Sequence, residues 1–358
     1  MQIPFYDPNK SYEENFDQGP FGAFADPPSQ GYGEASGELK YDFFGIKVNS
    51  PFGIPAGPLV NSKFCKSAFE KGFDICVYKT VRSDVFPCHP FPNILSVKVE
   101  GDLTMEKASH KLLADNNYTE PISITNSFGV PSRATNLWQE DVKKAMGFAT
   151  SGQCLVLGFM GTVKENQTAE EFIADYALAA KQAFDTAVKV LEVNLSCPNI
   201  GNEGLVCYNL DMTEKVCEAI RRAIGDTPLI LKVGYYKQYS DIQKLAEIAK
   251  KYAQGISAIN TISVEVVDKD GNQALPGPNR LRSGVCGASI KWAGLEMVKN
   301  LKKARKEVGG NFKIVGVGGV MNRDDFKEYI NTGADFVMSA TGAMWDPYLA
   351  QDIKKNFN

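Results

Sequence analysis

Histidine is nearly absent: His89 and His110 are the two among 358 residues, and His89 lies in the proline-rich stretch FPCHPFPN. A Ser-His-Asp hydrolase or a histidine-rich zinc enzyme would have to be built on one of these, so a general base is expected from a cysteine, lysine or carboxylate, and no metal site is expected. The eight cysteines include no CxxC pair, and the N-terminus MQIPFYDPNKSYEENF lacks a basic segment followed by an apolar one. The expectation is therefore reduced thiols in the cytoplasm, without signal peptide or disulfide framework. No apolar run approaches eighteen residues, which argues against a membrane span. Nor is there a basic block: 39 Lys and Arg against 42 Asp and Glu leave a net charge of −3, which argues against a nucleic-acid surface. What is present, 44% hydrophobic and 23% charged residues, suffices for one large α/β barrel or two medium domains.

Residues 1–38 are rich in Gly, Pro, Ser and Asp and show neither helical nor strand period, so an irregular arm is expected there. Beyond it, apolar runs alternate with amphipathic helices. Thr168–Glu171 opens one helix as a capping box; Asn322 opens another, which Gly333 closes. Ser240–Gln243 reads as a third such start, with Ile242, Leu245, Ile248 and Tyr252 on one face and Gly255 at its end. Nine runs are near-continuously apolar, as parallel strands covered on both faces should be: 51–56, 74–79, 121–125, 154–159, 190–194, 229–233, 257–262, 313–317 and 335–340. The stretch 82–133 is long for one connection and contains the run 121–125, so it reads as a β insertion over the barrel mouth. Eight runs then remain, and residues 39–358 are expected to form a (β/α)8 barrel.

Chemistry in such a barrel sits at the C-terminal ends of the strands. These ends are Ala56-Gly57, Lys79-Thr80, Asn194-Leu195-Ser196-Cys197-Pro198-Asn199, Lys232 within its run, Asn260-Thr261, Gly318-Gly319 and Thr341-Gly342. Paired glycines followed by Thr-Gly let backbone N–H groups approach a phosphate, although a tight turn alone would also explain Gly-Gly. An unpaired ammonium inside the apolar run LILKV is costly to bury, so Lys232 should face an anion or polar ligand; Lys79 invites the same argument. Cys197 directly follows a buried strand and could serve as base or nucleophile. The other seven cysteines read mostly as small buried hydrophobes. Asn126, Asn194, Asn199 and Asn260 converge on the expected mouth. Their carboxamides suit a ligand that alternates N–H and C=O, such as a pyrimidinedione.

The motifs SPFGIPAG (50–57), YKTV (78–81), NSFGVPS (126–132), NLSCPN (194–199), LILKV, INTI (259–262), SGVCGASIK (283–291), GVGGV (316–320) and GADFVMSATGA (333–343) resemble, in this order, those of the dihydroorotate dehydrogenase family of flavin-binding barrels. The resemblance implies FMN, with Ala56, Gly57, Lys79, Thr80, Asn126, Asn194 and Lys232 around its ring system and Thr261 nearby. Gly287, Gly318, Gly319, Thr341 and Gly342 would hold its phosphate. It implies a substrate read by Lys79, Asn126, Asn194, Asn199, Asn260, Thr261 and the segment Phe128, Gly129 and Val130. Cys197 would take a proton from C5 of (S)-dihydroorotate as C6 passes a hydride to flavin N5, giving orotate in pyrimidine biosynthesis. Cysteine at the base position is the mark of the family's soluble class.

The same resemblance implies a homodimer that uses fumarate as acceptor, the rival being an iron–sulfur partner subunit feeding NAD. The segment IGNEGLVCYN is also similar to the pyrimidine-reducing domain of dihydropyrimidine dehydrogenase. That relative has His where this chain has Asn199, which favours orotate chemistry over a uracil-type substrate. A flavin-free barrel, a lyase or binding protein holding a ligand phosphate at Gly318-Gly319, is the third reading.

Overall fold

The computed structural model of the chain describes residues 5–26, 39–196, 206–278 and 280–355. Eight short segments pair in chain order and close on themselves: β1 (Phe52–Ile54), β2 (Ile75–Val81), β3 (Cys154–Phe159), β4 (Val190–Asn194), β5 (Leu229–Val233), β6 (Gly255–Ala258), β7 (Lys313–Val317) and β8 (Phe336–Met338). Every pairing is parallel. The strands are apolar on both parities because helices cover the outside while layered side chains fill the inside. The chain is thus a (β/α)8 barrel. The run 121–125 lies outside it, as expected. The run 257–262 is a correction: β6 stops at Ala258, and Ile262 begins a different strand. Asn260 N–H bonds to Val233 O at 2.9 Å and its side chain to Ser196, which takes the chain off the barrel at that point.

Two of the three helix starts hold. Thr168 and Glu171 cap each other reciprocally, and Asn322 Oδ1 accepts from the N–H groups of Asp324 and Asp325, with Gly333 ending that helix at φ 121°. The third does not: its helix runs Tyr239–Tyr252 without a side-chain cap, and Gly255 belongs to β6. Gln243 Nε2 donates instead to Glu307 across the helix pair at 2.9 Å, beside the Tyr239 hydroxyl at 2.8 Å.

Inside the barrel, a lower apolar layer includes Ile75, Val77, Val156, Val190, Ile230, Val315 and Phe336. An antiparallel pair, Tyr41–Phe43 with Ile46–Val48, plugs the bottom through Phe43 and Val48. Side chains alternate along a strand. The parity that turns Val77, Val190 and Ile230 inward therefore also turns Lys79, Glu192, Asn194 and Lys232 inward, one or two steps nearer the C-terminal mouth.

Over that mouth sits a second closed barrel of five strands: Ile94–Val97, Lys111–Asp115, Ser123–Asn126, Ile262–Val267 and Arg282–Gly287. The expected insertion 82–133 supplies three of them, and the other two come from the connection between β6 and β7. The N-terminal arm is a further correction. Residues 12–18 form a helix with a Ser11–Glu14 capping box, and Phe5, Tyr6, Tyr12 and Phe24 are buried. The arm is tied down by Phe5 N–H to Met344 O (3.0 Å), Asn61 Nδ2 to Phe16 O (2.7 Å) and Ser67 Oγ to Phe24 O (2.6 Å). Its aromatics supply the burial that its composition hides. Among the described residues, no helix is long and apolar enough to cross a membrane.

Candidate active site

Between the two barrels lie two adjoining cavities. From the large barrel come Ala56 and Gly57 after β1, Lys79 and Thr80 on β2, Asn194 ending β4, and Lys232 on β5. Asn126 and Phe128 come from the small barrel, Asn260 and Thr261 from the crossing between the two, and Thr341 from the start of the short helix Thr341–Trp345 after β8. Val130 and Gly284 complete the smaller cavity. Gly287, Gly318, Gly319 and Gly342 stand next to wall residues Cys286, Val317 and Thr341 without facing these cavities themselves. Cys197 and Asn199 lie outside the described residues.

Two ammonium groups reach this space from inside the barrel. Lys232 Nζ donates to Ala56 O at 3.1 Å, and Lys79 Nζ is 3.5 Å from Gly57 O and 4.1 Å from the centre of the Phe128 ring. Both lysines are over nine-tenths buried, so their charges act in a medium far less screening than water. The carboxamides are partly engaged. Asn194 Oδ1 accepts from Ser196 N–H at 3.1 Å, and Asn260 Nδ2 donates to Ser196 O at 2.9 Å. These bonds brace the turn that leads into Cys197.

Several wall residues have no counterpart in the sequence reading. Cys286, placed with the inert cysteines, lines the cavity and accepts from Thr341 Oγ1 (3.5 Å) and Asn126 Nδ2 (3.7 Å). Burial pushes its thiol up, against the opposing pulls of Thr341, Asn126 and Lys232, so it stays protonated at neutral pH. SGVCGASIK marked this stretch, but Gly287 alone was drawn from it. Tyr6 brings the arm into the wall, meeting Phe128 edge-on at 5.5 Å. Arg82 lies behind the 128–130 segment, donating from Nε to Val130 O and from NH2 to Gly129 O, each at 2.9 Å, and from NH1 to Gly161 O at 3.1 Å. The segment needs such a clamp. Val130 has φ 55°, a strained value for a β-branched residue. Gly129 has φ 75°, and a Cβ there would stand 2.5 Å from His89 Nε2.

A sequence profile described as dihydroorotate dehydrogenase matches residues 117–358. The dihydroorotate dehydrogenase of Dictyostelium discoideum is 36% identical over 369 aligned residues, covering 99% of this chain and 97% of that one. The catalytic subunit of dihydroorotate dehydrogenase B (NAD(+)) is 33% identical in Alkaliphilus metalliredigens, covering 51% of this chain and 57% of the relative. In Caldicellulosiruptor saccharolyticus it is 30% identical, covering 65% and 71%. With a barrel whose C-terminal mouth gathers two buried lysines and three asparagines, and with matches of this extent, the chain belongs to the dihydroorotate dehydrogenase family of oxidoreductases.

Proposed function

We propose that the chain oxidises (S)-dihydroorotate to orotate with FMN as its resident cofactor, using Cys197 as the base. The observation that carries this reading is the convergence of Lys79, Lys232, Asn126, Asn194, Asn260 and Thr261 on one space between the two barrels. The walls suit a flat, polar-edged ring system. Thr261 Oγ1 is buried and has no hydrogen-bond partner among the described residues. At Gly57, with φ 140°, an added Cβ would meet nothing within 4 Å, so the backbone there borders open space.

Ala56, Gly57, Lys79, Thr80, Asn126, Asn194 and Lys232 would hold the ring system. Gly287, Gly318, Gly319, Thr341 and Gly342 would hold the phosphate, since glycine lets backbone N–H groups come close. The bound flavin supplies a two-electron acceptor for the hydride that leaves C6 of the substrate. The chain supplies the rest. Lys232, reaching the site from within the barrel, would stabilise negative charge on that acceptor. Loss of hydride from C6 acidifies C5, and the Cys197 sulfur takes that proton. Asn126, Asn194, Asn199 and Asn260 fix the substrate's amides and carboxylate, with Lys79 adding charge. Arg82 holds the Phe128–Val130 backbone in place beside them. Fumarate is the proposed acceptor, acting at the same site in a homodimer.

Anaerobic mixing with dihydroorotate tests this. The expected result is immediate loss of the yellow flavin colour, restored by fumarate. Bleaching by dihydrouracil in preference to dihydroorotate, or a purified protein without flavin, would overturn the substrate or the cofactor. Restoration by NAD only through an added iron–sulfur protein would replace the proposed acceptor.

A further inference from the structure

Glu192 is a buried ionisable group on the inner face of the large barrel that this mechanism does not use. It lies on β4 opposite Ile230 of β5, and its inward parity places it one step below Asn194 and Lys232, which pair with each other. Lys232 pairs on its other side with Ser257 of β6. Glu192 and Ser257 are fully buried, and neither the two carboxyl oxygens nor the Ser257 hydroxyl meets a hydrogen-bond partner among the described residues. A carboxylate without donors is among the most expensive groups to bury, and it persists where an opposite charge offsets it. Burial pushes the Glu192 carboxyl up, and the Lys232 ammonium is the first influence that pulls it back.

We infer that Glu192 is a counter-charge of Lys232: a positioning residue beneath the site that shares the ammonium's charge and so tunes how strongly it stabilises electrons on the cofactor. The inference rests on the cofactor reading above. With Glu192 ionised, the cofactor faces a tempered cation. With Glu192 neutralised, it faces a full one, and the flavin becomes a stronger electron acceptor. The carboxyl touches neither substrate nor cofactor walls; it acts through Lys232.

Sulfite binding to the oxidised holoenzyme measures this without turnover. Sulfite adds to flavin, bleaches its absorbance and leaves negative charge on the ring, so its affinity reports the positive charge held nearby. The isosteric variant Glu192→Gln should bind sulfite about tenfold more tightly, the scale expected for one charge at interior separations. Lys232→Met should bind it at least about tenfold more weakly. In the Lys232→Met background the carboxyl loses its cation and protonates, so adding Glu192→Gln should change nothing. An unchanged affinity in Glu192→Gln alongside weakened binding in Lys232→Met would overturn the counter-charge and leave the cofactor placement intact. An unchanged affinity in Lys232→Met would overturn the placement of the flavin beside Lys232, and this inference with it.

Discussion

The two barrels of this molecule share one site but are written into the chain in different ways. The large barrel takes each strand from one uninterrupted stretch and covers it on both faces, so its strands read as solid apolar runs. The small barrel joins strands from 94–126 with strands from 262–287, and one face of several is partly exposed: Ile262–Val267 alternates buried with half-buried residues, and Lys111–Asp115 is mostly accessible. Chemistry divides along the same line. Fixed charge, Lys79 and Lys232, comes from the rigid interior of the large barrel. The small barrel contributes shape and hydrogen bonding through Asn126, Phe128 and Cys286. The reaction is thus to be driven from below and selected from above.

That division is most easily broken on the large-barrel side. Cys197→Ser removes the proposed base while leaving both barrels whole, and the rate of flavin bleaching by dihydroorotate should fall about 10²–10⁴-fold with FMN retained. Stopped-flow absorbance gives the rate. A variant that bleaches as fast as the parent would take the base away from Cys197.

Arg82→Met tests the small-barrel side. The variant leaves the carbonyls of Gly129, Val130 and Gly161 without their buried donor, a loss of about 2–3 kcal/mol of stability. If the clamp serves selection, KM for dihydroorotate should rise about tenfold while the first-turnover rate changes little. Urea unfolding and steady-state kinetics give the two numbers. A fall in kcat at constant KM would show that the 128–130 segment takes part in driving the reaction.

Legibility followed the same contrast. Parallel strands buried on both sides left a clear trace, and Lys79, Asn194 and Lys232 at their ends line one cavity. The run 257–262 misled because it is two strands joined end to end, with the bend made by Asn260 bonding to Ser196, a contact 64 residues away. Arg82 stayed hidden because its partners are backbone carbonyls, which carry no residue identity. The arm stayed hidden because Phe5, Tyr6, Tyr12 and Phe24 are spaced without period and pack against one another and against the distant Phe64 and Phe128. Cys286 looks like any small buried residue until the fold sets it between Asn126 and Thr341.

The smallest expected effect separates the small barrel from the arm, since both set an aromatic ring near the same ammonium. Lys79 Nζ is 4.1 Å from the centre of Phe128 and 5.6 Å from that of Tyr12. Attraction between a cation and a ring face weakens with distance and contributes about 0.5–2 kcal/mol for a partly desolvated pair. Phe128→Leu should therefore raise KM for dihydroorotate about tenfold, and Tyr12→Leu about threefold, because each Leu keeps apolar bulk while removing the ring face. Thermal unfolding of the two variants shows whether packing rather than charge accounts for the change. A larger shift in KM for Tyr12→Leu than for Phe128→Leu would make the arm, and not the small barrel, the principal wall against which Lys79 is held.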